Sequence, residues 1–244
     1  MKIQDNFTDT HLLFSTPVSF TIYNDDGTIL LAKFKLKLPT VADLYFDEDV
    51  AYCLSFLKRT PQELSQQLQV DMKWSSHLDL FRSMFILGAH VPGIAIIWSR
   101  VLEGFNKLCP DFVVSDGVFK IQGAEMNDEL LERIRDIWLI ASGNKTYSKA
   151  YSYMTPEQRA YEDKIQQIKN KGKSTDKRST SFEKVYMILT YEFGYTRQEI
   201  LSMTMHAVNA IVKYTPKSIN YKLTLAAKAN GNTKKVKFIT DQGD

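Results

Sequence analysis

The stretch from Asp111 to Asn144, DFVVSDGVFKIQGAEMNDELLERIRDIWLIASGN, sets a strand pattern directly against a helix pattern. Asp116-Gly117 stands between Phe112–Ser115 and Val118–Ile121, two short runs rich in β-branched and aromatic residues. An Asp-Gly pair in that position is the strongest short-range signal for a tight hairpin, because both turn residues need positive φ. The period then changes. Leu130-Leu131, Ile134, Ile137-Trp138 and Ala141 recur at helical spacing, Asn127 or Asp128 can cap the start, and Gly143-Asn144 supplies a stop. A small β element feeding a helix predicts an α+β fold.

The flanking sequence extends this pattern. Toward the N-terminus, Val18, Phe20 and Ile22 alternate with polar residues, and Asn24-Asp25-Asp26-Gly27 is turn chemistry. Leu30 to Leu38 then resumes an extended pattern, with Lys33, Lys35 and Lys37 on one face and Phe34, Leu36 and Leu38 on the other. This predicts a first hairpin near 17–38 and a second near 112–121. Thr40 to Leu108 reads as helical. Val41, Leu44 and Tyr45 lead into Val50, Cys53, Leu54 and Leu57. Thr60-Pro61 with Glu63 opens a new helix, whose apolar side is Leu64, Leu68 and Val70–Met72. The most apolar run, Met84 to Trp98, is broken at Pro92 and predicts two core helices meeting there. It is shorter than the ~20 residues that a membrane-spanning helix needs.

Beyond residue 150 the chain predicts a helix opened by Thr155-Pro156, with Ile165 and Ile168. An exposed lysine- and serine-rich linker follows, Lys169 to Ser181. The closing part, SFEKVYMILTYEFGYTRQEILSMTMHAVNAIVKYT, is helical again. Val185, Ile188, Leu189 and Phe193 share a face, Gly194 stops the helix, and Thr196 with Glu199 forms a capping box for the next. Thr204 can cap a further helix carrying Ala207, Val208, Ile211 and Val212. Pro216 suits the first turn of another, running to Asn230-Gly231. The predicted organisation is an N-terminal α+β domain over 1–150, a helix and linker over 151–180, and a helical basic unit over 181–244.

Composition narrows the function classes. With 44% hydrophobic, 12% aromatic and 24% charged residues the chain is an ordinary globular protein. The N-terminus lacks the basic head and apolar run of an export signal, so the expected setting is soluble and intracellular. Cys53 and Cys109 are then expected to be buried free thiols. Net charge is only +3, but it is unevenly placed. No Asp or Glu occurs from Ile200 to Thr240, where Lys213, Lys217, Lys222, Lys228, Lys234, Lys235 and Lys237 lie, whereas Asp43, Asp47, Glu48 and Asp49 form an acidic cluster. That asymmetry favours a polar partner or a second copy.

No catalytic pattern stands out. His11, His77, His90 and His206 do not pair at metal-ligand spacing, and there is no H-E-x-x-H, C-x-x-C or G-x-S-x-G. Gly143-Asn144-Lys145-Thr146 follows a helix and lacks the first glycine of a phosphate loop. Glu125 with Asp128 is ordinary helix-start charge. The reading is no enzyme activity, no cofactor and no metal. Nucleic-acid binding is the rival, since lysines interleave with Tyr214, Tyr221 and Phe238. The segment Thr196–Lys213 also has a helix-turn-helix outline, but its recognition face would carry Met205, His206, Asn209 and Lys213, with no arginine for guanine.

Three stretches together resemble accessory proteins of tailed bacteriophages, in particular tail-assembly chaperones and their baseplate relatives. They are NDELLERIRDIWLIASGN, PEQRAYEDKIQQIKNKGK, and ILTYEFGYTRQEILSMTMHAVNAIVKYT followed by YKLTLAAKANGNTKKVKF. The last carries the pattern on Gly194, Tyr195, Thr196, Glu199, Ile200, Met203, Thr204, Gly231, Lys234 and Lys235. The resemblance implies a non-catalytic factor in the host cytoplasm that binds a tape-measure or hub-type tail or baseplate protein. A component retained in the virion tail is the alternative, and self-association is open. Such a chaperone needs an adaptable apolar surface, often rich in methionine. The residues that fit this role are Met187, Tyr195, Met203, Met205 and Tyr214, with Lys234 and Lys235 from the lysine run.

Overall fold

The computed structural model describes residues 1–70, 72–145 and 182–213. The helix expected after Thr155, the linker, Tyr214, the helix from Pro216, Lys234 and Lys235 lie outside the described residues. The fold is α+β, with helices predominating and two small antiparallel sheets.

The first sheet has the order β1-β2-β3, with β1 Lys2–Asp5, β2 Val18–Tyr23 and β3 Leu30–Leu36. The expected hairpin is β2–β3, in register Phe20↔Phe34 and Thr21↔Lys33. The first strand was not anticipated: Lys2–Asp5 carries one apolar residue, Ile3, which is too little for period-two alternation to register. It pairs with β2 at Ile3↔Ile22. Between β1 and β2 runs a short helix, α1 (Asp9–Phe14), whose Leu12 is buried. The inner face of the sheet buries Val18, Phe20, Ile22, Phe34 and Leu36, while Lys33 and Lys35 stand in solvent, as the alternation predicts.

Helices α2 (Val41–Phe46), α3 (Glu48–Lys58), α4 (Pro61–Leu68), α5 (His77–Gly88) and α6 (Pro92–Leu108) follow. Two adjustments to the sequence reading arise here. The helical run after Thr40 is two helices, because the Asp47 side chain accepts hydrogen bonds from the Asp49 and Val50 amides and so starts a new helix. Helix α4 has the expected Thr60–Glu63 capping box with Pro61 in its first turn, but it ends at Leu68, where Gln69 turns left-handed. Met72 is therefore exposed, and the nearby Trp74 is the buried side chain.

The apolar run Met84–Trp98 divides as expected, α5 ending at Gly88 and α6 opening at Pro92. Its burial is only partial. Met84, Ile94 and Trp98 enter the core, whereas Ile86 and Ile96 are 61% and 65% exposed because they lie on the outer faces of the two helices. The acidic cluster is also different from expectation. Lys107 Nζ lies 3.0 Å from both Asp47 and Asp49, Arg100 reaches Glu48 and Asp49, and Lys37 reaches Asp43 at 2.8 Å. Asp43, Asp47 and Asp49 are thus largely taken up within the fold, while Glu48 stays exposed.

The second sheet is β4 (Phe112–Ser115), β5 (Val118–Ile121) and β6 (Ala124–Glu125). The Asp-Gly turn has φ +52° at Asp116 and +75° at Gly117. The two-residue third strand is below what a sequence pattern can show. The helix α7 (Asp128–Ala141) is capped by Asn127, whose side chain accepts from the Leu130 amide. All six of its predicted inward residues are buried, and Trp138 is the largest fully buried side chain.

The core sits where α5, α6, α7 and both sheets meet. Phe105 packs against Phe81, Phe112 and Trp138, and Phe81 and Phe119 both meet Trp98 edge-on. Such ring pairs add about 0.5–1.5 kcal/mol each beyond the area they bury. Helices α3 and α6 approach tightly at Gly104. A Cβ placed on Gly104 would stand 2.2 Å from the Asp49 carbonyl oxygen and 2.6 Å from Cys53 Cβ. Neither neighbour is the tip of a flexible side chain. Gly104→Ala is therefore expected to cost about 3 kcal/mol by overpacking. At Gly93 a Cβ meets nothing within 4 Å, so Gly93→Ala in the same helix should be neutral or slightly stabilising. Urea denaturation of the two variants checks the contrast.

Candidate partner-binding surface

The closing helices are α8 (Phe182–Phe193), α9 (Arg197–Ser202) and α10 (residues 205–213). Gly194 ends the first at φ +71°, with its amide donating to the Thr190 carbonyl and the Tyr195 amide to the Leu189 carbonyl. Thr196 then forms the predicted capping box with Glu199: the Glu199 amide donates to Thr196 Oγ1, and Glu199 Oε2 accepts from the Thr196 amide at 2.8 Å. Those hydrogen bonds from Thr196 hold the Glu199 carboxyl below the usual carboxylate range.

Thr204 starts α10, and it does more than cap. Its hydroxyl oxygen accepts from the Ala207 amide at 3.1 Å, while the hydroxyl proton goes to the Leu12 carbonyl at 2.6 Å. One residue earlier, the Met203 carbonyl accepts from the Val41 amide at 2.8 Å. Tyr45 stacks on Phe182 with ring centroids 4.3 Å apart. Helix α10 also lies against the end of α7, since a Cβ on Gly143 would meet Asn209 Nδ2 at 2.8 Å and Met205 Cβ at 3.5 Å. The closing helices are thus seated on α1, α2 and the C-terminal end of α7.

Their own apolar cluster consists of Val41, Val185, Leu189, Ile200 and Val208, fully or nearly fully buried. Tyr195, Met203 and Met205 pack partly buried against it, so the structure brings three of the proposed contact residues together. Met187 does not join them. It lies on the outer side of α8, 47% exposed, four residues before Tyr191, which is 76% exposed. Phe193, expected on the inner face, is 41% exposed instead, because Val185 and Leu189 already fill the contact and the chain turns away at Gly194. Methionines 203 and 205 are held by intramolecular packing, and the open apolar side chains are Met187, Tyr191 and Phe193.

His77 occupies a position that its sequence spacing could not reveal. It is 4% exposed, with Nε2 2.9 Å from the Arg59 carbonyl and Nδ1 2.6 Å from Glu132 Oε1. A carbonyl only accepts, so Nε2 is the donor there. Arg135 completes the group, donating to Glu132 Oε2 at 3.0 Å and to the Leu57 carbonyl at 2.6 Å. Burial opposes ionisation of Glu132, but His77 and Arg135 outweigh it and hold the carboxyl below its ordinary value. His77 and Glu132 lie 55 positions apart along the chain, and the sequence holds no local sign of the contact. The group ties the α3–α4 junction to α5 and α7. A surface depression beside the group is lined by Ser55, Lys58, Arg59, Glu63 and Gln67.

Other reactive groups are similarly occupied. Cys53 and Cys109 are buried free thiols, and burial pushes both up, Cys109 to about 12 with the Asp111 charge adding to it. Burial holds His206 below the ordinary histidine value, with the Asp9 charge acting against that. Among the described residues no group of three or more His, Cys, Asp or Glu could hold a metal ion, and no helix is long and apolar enough to cross a membrane.

A pH dependence follows from Glu132. Its pKa is depressed on folding, so ionisation favours the fold at neutral pH, and that contribution fades as the pH falls from about 5 through the folded pKa. Glu132→Gln is expected to lower the thermal midpoint at pH 7, with the gap to the parent narrowing steadily toward pH 3. A gap constant over that range would remove the ion-pair account. Comparison with protein-family models, curated proteins and solved structures finds no match for this chain.

Proposed function

We propose that this protein is a non-catalytic assembly factor of a tailed bacteriophage, chaperone-like, that binds a tail or baseplate protein of the tape-measure or hub type in the host cytoplasm. The resemblance in the sequence supplies the phage context. The observation that carries the binding role is the apolar exposure around the closing helices. Helix α8 exposes Met187, Tyr191 and Phe193; α1, tied to Thr204 through Leu12, exposes Leu13 and Phe14; and α2, tied through Val41, exposes Tyr45 and Phe46. Contiguous exposed apolar side chains are the usual material of interaction surfaces. Aromatic and methionine side chains are the types that supply most energy at such contacts and adapt to irregular partners.

The charged groups fit a binding role better than a catalytic one. The carboxylates of the acidic cluster pair with Lys107, Arg100 and Lys37, and the buried His77 is held by the Glu132 carboxylate and the Arg59 carbonyl. Retention in the particle as a structural component is the second reading, and it uses the same surface.

Co-expression with the tape-measure or hub protein of the same phage tests the proposal. The partner is expected to be soluble and to co-purify with the parent chain, and to be lost with Met187→Asp or Tyr191→Asp. Both positions are exposed, so the variants should keep the parent's helical spectrum. Co-purification that survives both substitutions would move the contact elsewhere. Mass spectrometry of purified particles separates a chaperone, absent from them, from a retained component.

A further inference from the structure

Among the described residues strand β3 is an edge of its sheet, and the pairing fixes its backbone directions. The Asn6 amide donates to the Ser19 carbonyl, and the Ser19 amide to Asn6 Oδ1, so Ser19 turns its backbone groups toward β1. In an antiparallel ladder these directions alternate residue by residue. Val18, Phe20 and Ile22 therefore turn toward β3, and their partners Leu36, Phe34 and Ala32 turn toward β2. Lys33, Lys35 and Lys37 turn the other way, off the edge. Lys37 confirms the assignment, because its amide donates to the Leu108 carbonyl and its carbonyl accepts from Trp138 Nε1.

Lys37 is thus occupied, while the backbone N–H and C=O groups of Lys33 and Lys35 point off the edge with no partner among the described residues. Their side chains are exposed as well, on the outer face of the sheet, and neither has an ion-pair or hydrogen-bond partner among the described residues. At the far end of the same edge Ile29, Leu30 and Leu31 are 60%, 54% and 47% exposed. The edge therefore offers an open ladder, a pair of unmatched positive charges two residues apart, and an apolar end.

We propose that the β3 edge is a docking site for an extended, acidic segment of another polypeptide, which adds to the sheet as a fourth strand. Three occupants can be weighed on this geometry. A second copy of β3 pairing antiparallel with the lysines at the centre sets a lysine opposite a lysine, which is destabilising, and the register that avoids this sets Lys33 opposite Leu31 and Lys35 opposite Ile29, which leaves both charges unmatched. A nucleic acid would satisfy the ammonium groups but has no backbone ladder, and its phosphates would face the Lys33 and Lys35 carbonyls. An acidic strand satisfies all of it: main-chain hydrogen bonds along the edge, carboxylates across from the two lysines, and an apolar residue toward Ile29–Leu31. The site is separate from the α8 surface and does not depend on the phage reading.

The test uses the full chain, isotope-labelled, with a blocked seven-residue peptide alternating glutamate and valine as probe. Its lysine-for-glutamate counterpart and a single-stranded oligothymidylate serve as competitors. Binding of the acidic peptide should slow hydrogen exchange at the Lys33 and Lys35 amides. The combined variant Lys33→Glu, Lys35→Glu should bind it roughly tenfold more weakly at low salt and should gain affinity for the lysine peptide. Lys33→Gln with Lys35→Gln should fall between. Absence of protection at those two amides, or equal binding by the charge-reversed variant, overturns the proposal. So does oligothymidylate binding with no peptide binding. Failure here leaves the Met187 and Tyr191 experiment standing, and the converse holds.

Discussion

The fold depends on how closely α6 can lie against α3. Gly104 has no side chain at the point where the α3 backbone arrives, and only that absence lets the two helices touch main chain to side-chain root. Everything nearby is set by this spacing. Lys107, one turn on, reaches both Asp47 and Asp49; Arg100, one turn back, reaches Glu48 and Asp49 and lies 4.7 Å over the Tyr52 ring. These pairs are partly exposed and individually small. Their larger effect is to hold Asp47 and Asp49 to α6, while Lys33 and Lys35 on the first sheet have no acidic partner among the described residues.

From Phe105 the constraint passes to the rest of the core. That ring meets Trp138 on α7, whose indole N–H is aimed at the Lys37 carbonyl. One apolar stack thereby fixes the end of β3 relative to α7. Asp5 at the end of β1 is bound to the same helix, with Arg133 Nε at 2.7 Å and Nη2 at 3.0 Å. The first sheet is pinned to α7 at two points, and its free edge is what remains.

Much of this could be read from residue order, and the parts that could not share a cause. Caps and turns are local: Thr60–Glu63, Asn127, Asp116-Gly117, Gly194 and Thr196–Glu199 all occur as their residue types dictate. The strands β1 and β6 are held by partners and have too few residues to carry a pattern of their own. Burial was legible for α7, which is covered along its inward stripe, and misleading for Met84–Trp98, where apolar residues surround both helices but only one side has a neighbour. For the contact surface the limits are similar. Tyr195, Met203 and Met205 could be named from their sequence neighbourhood, yet which of them faces out is decided by Val41 and Leu12, far earlier in the chain. The His77–Glu132–Arg135 group is invisible for the same reason. The open ladder of β3 was half visible: alternation gave the lysine face, but the direction of each amide required the pairing with β2.

The hydroxyl of Thr204 has a temporal consequence. It serves one helix start and one distant carbonyl at once, joining positions 192 apart. During synthesis the residues through α7 can collapse around Phe81, Phe105 and Trp138 well before Thr204 leaves the ribosome. The Leu12 carbonyl and the Val41 amide must then wait, solvated, for the late helices to arrive. Loop closure over that distance is slow compared with local helix formation. The newborn chain should therefore pass through a stage in which α1 and α2 are exposed and the last helices are undocked, a window in which a partner could bind before the protein has closed on itself.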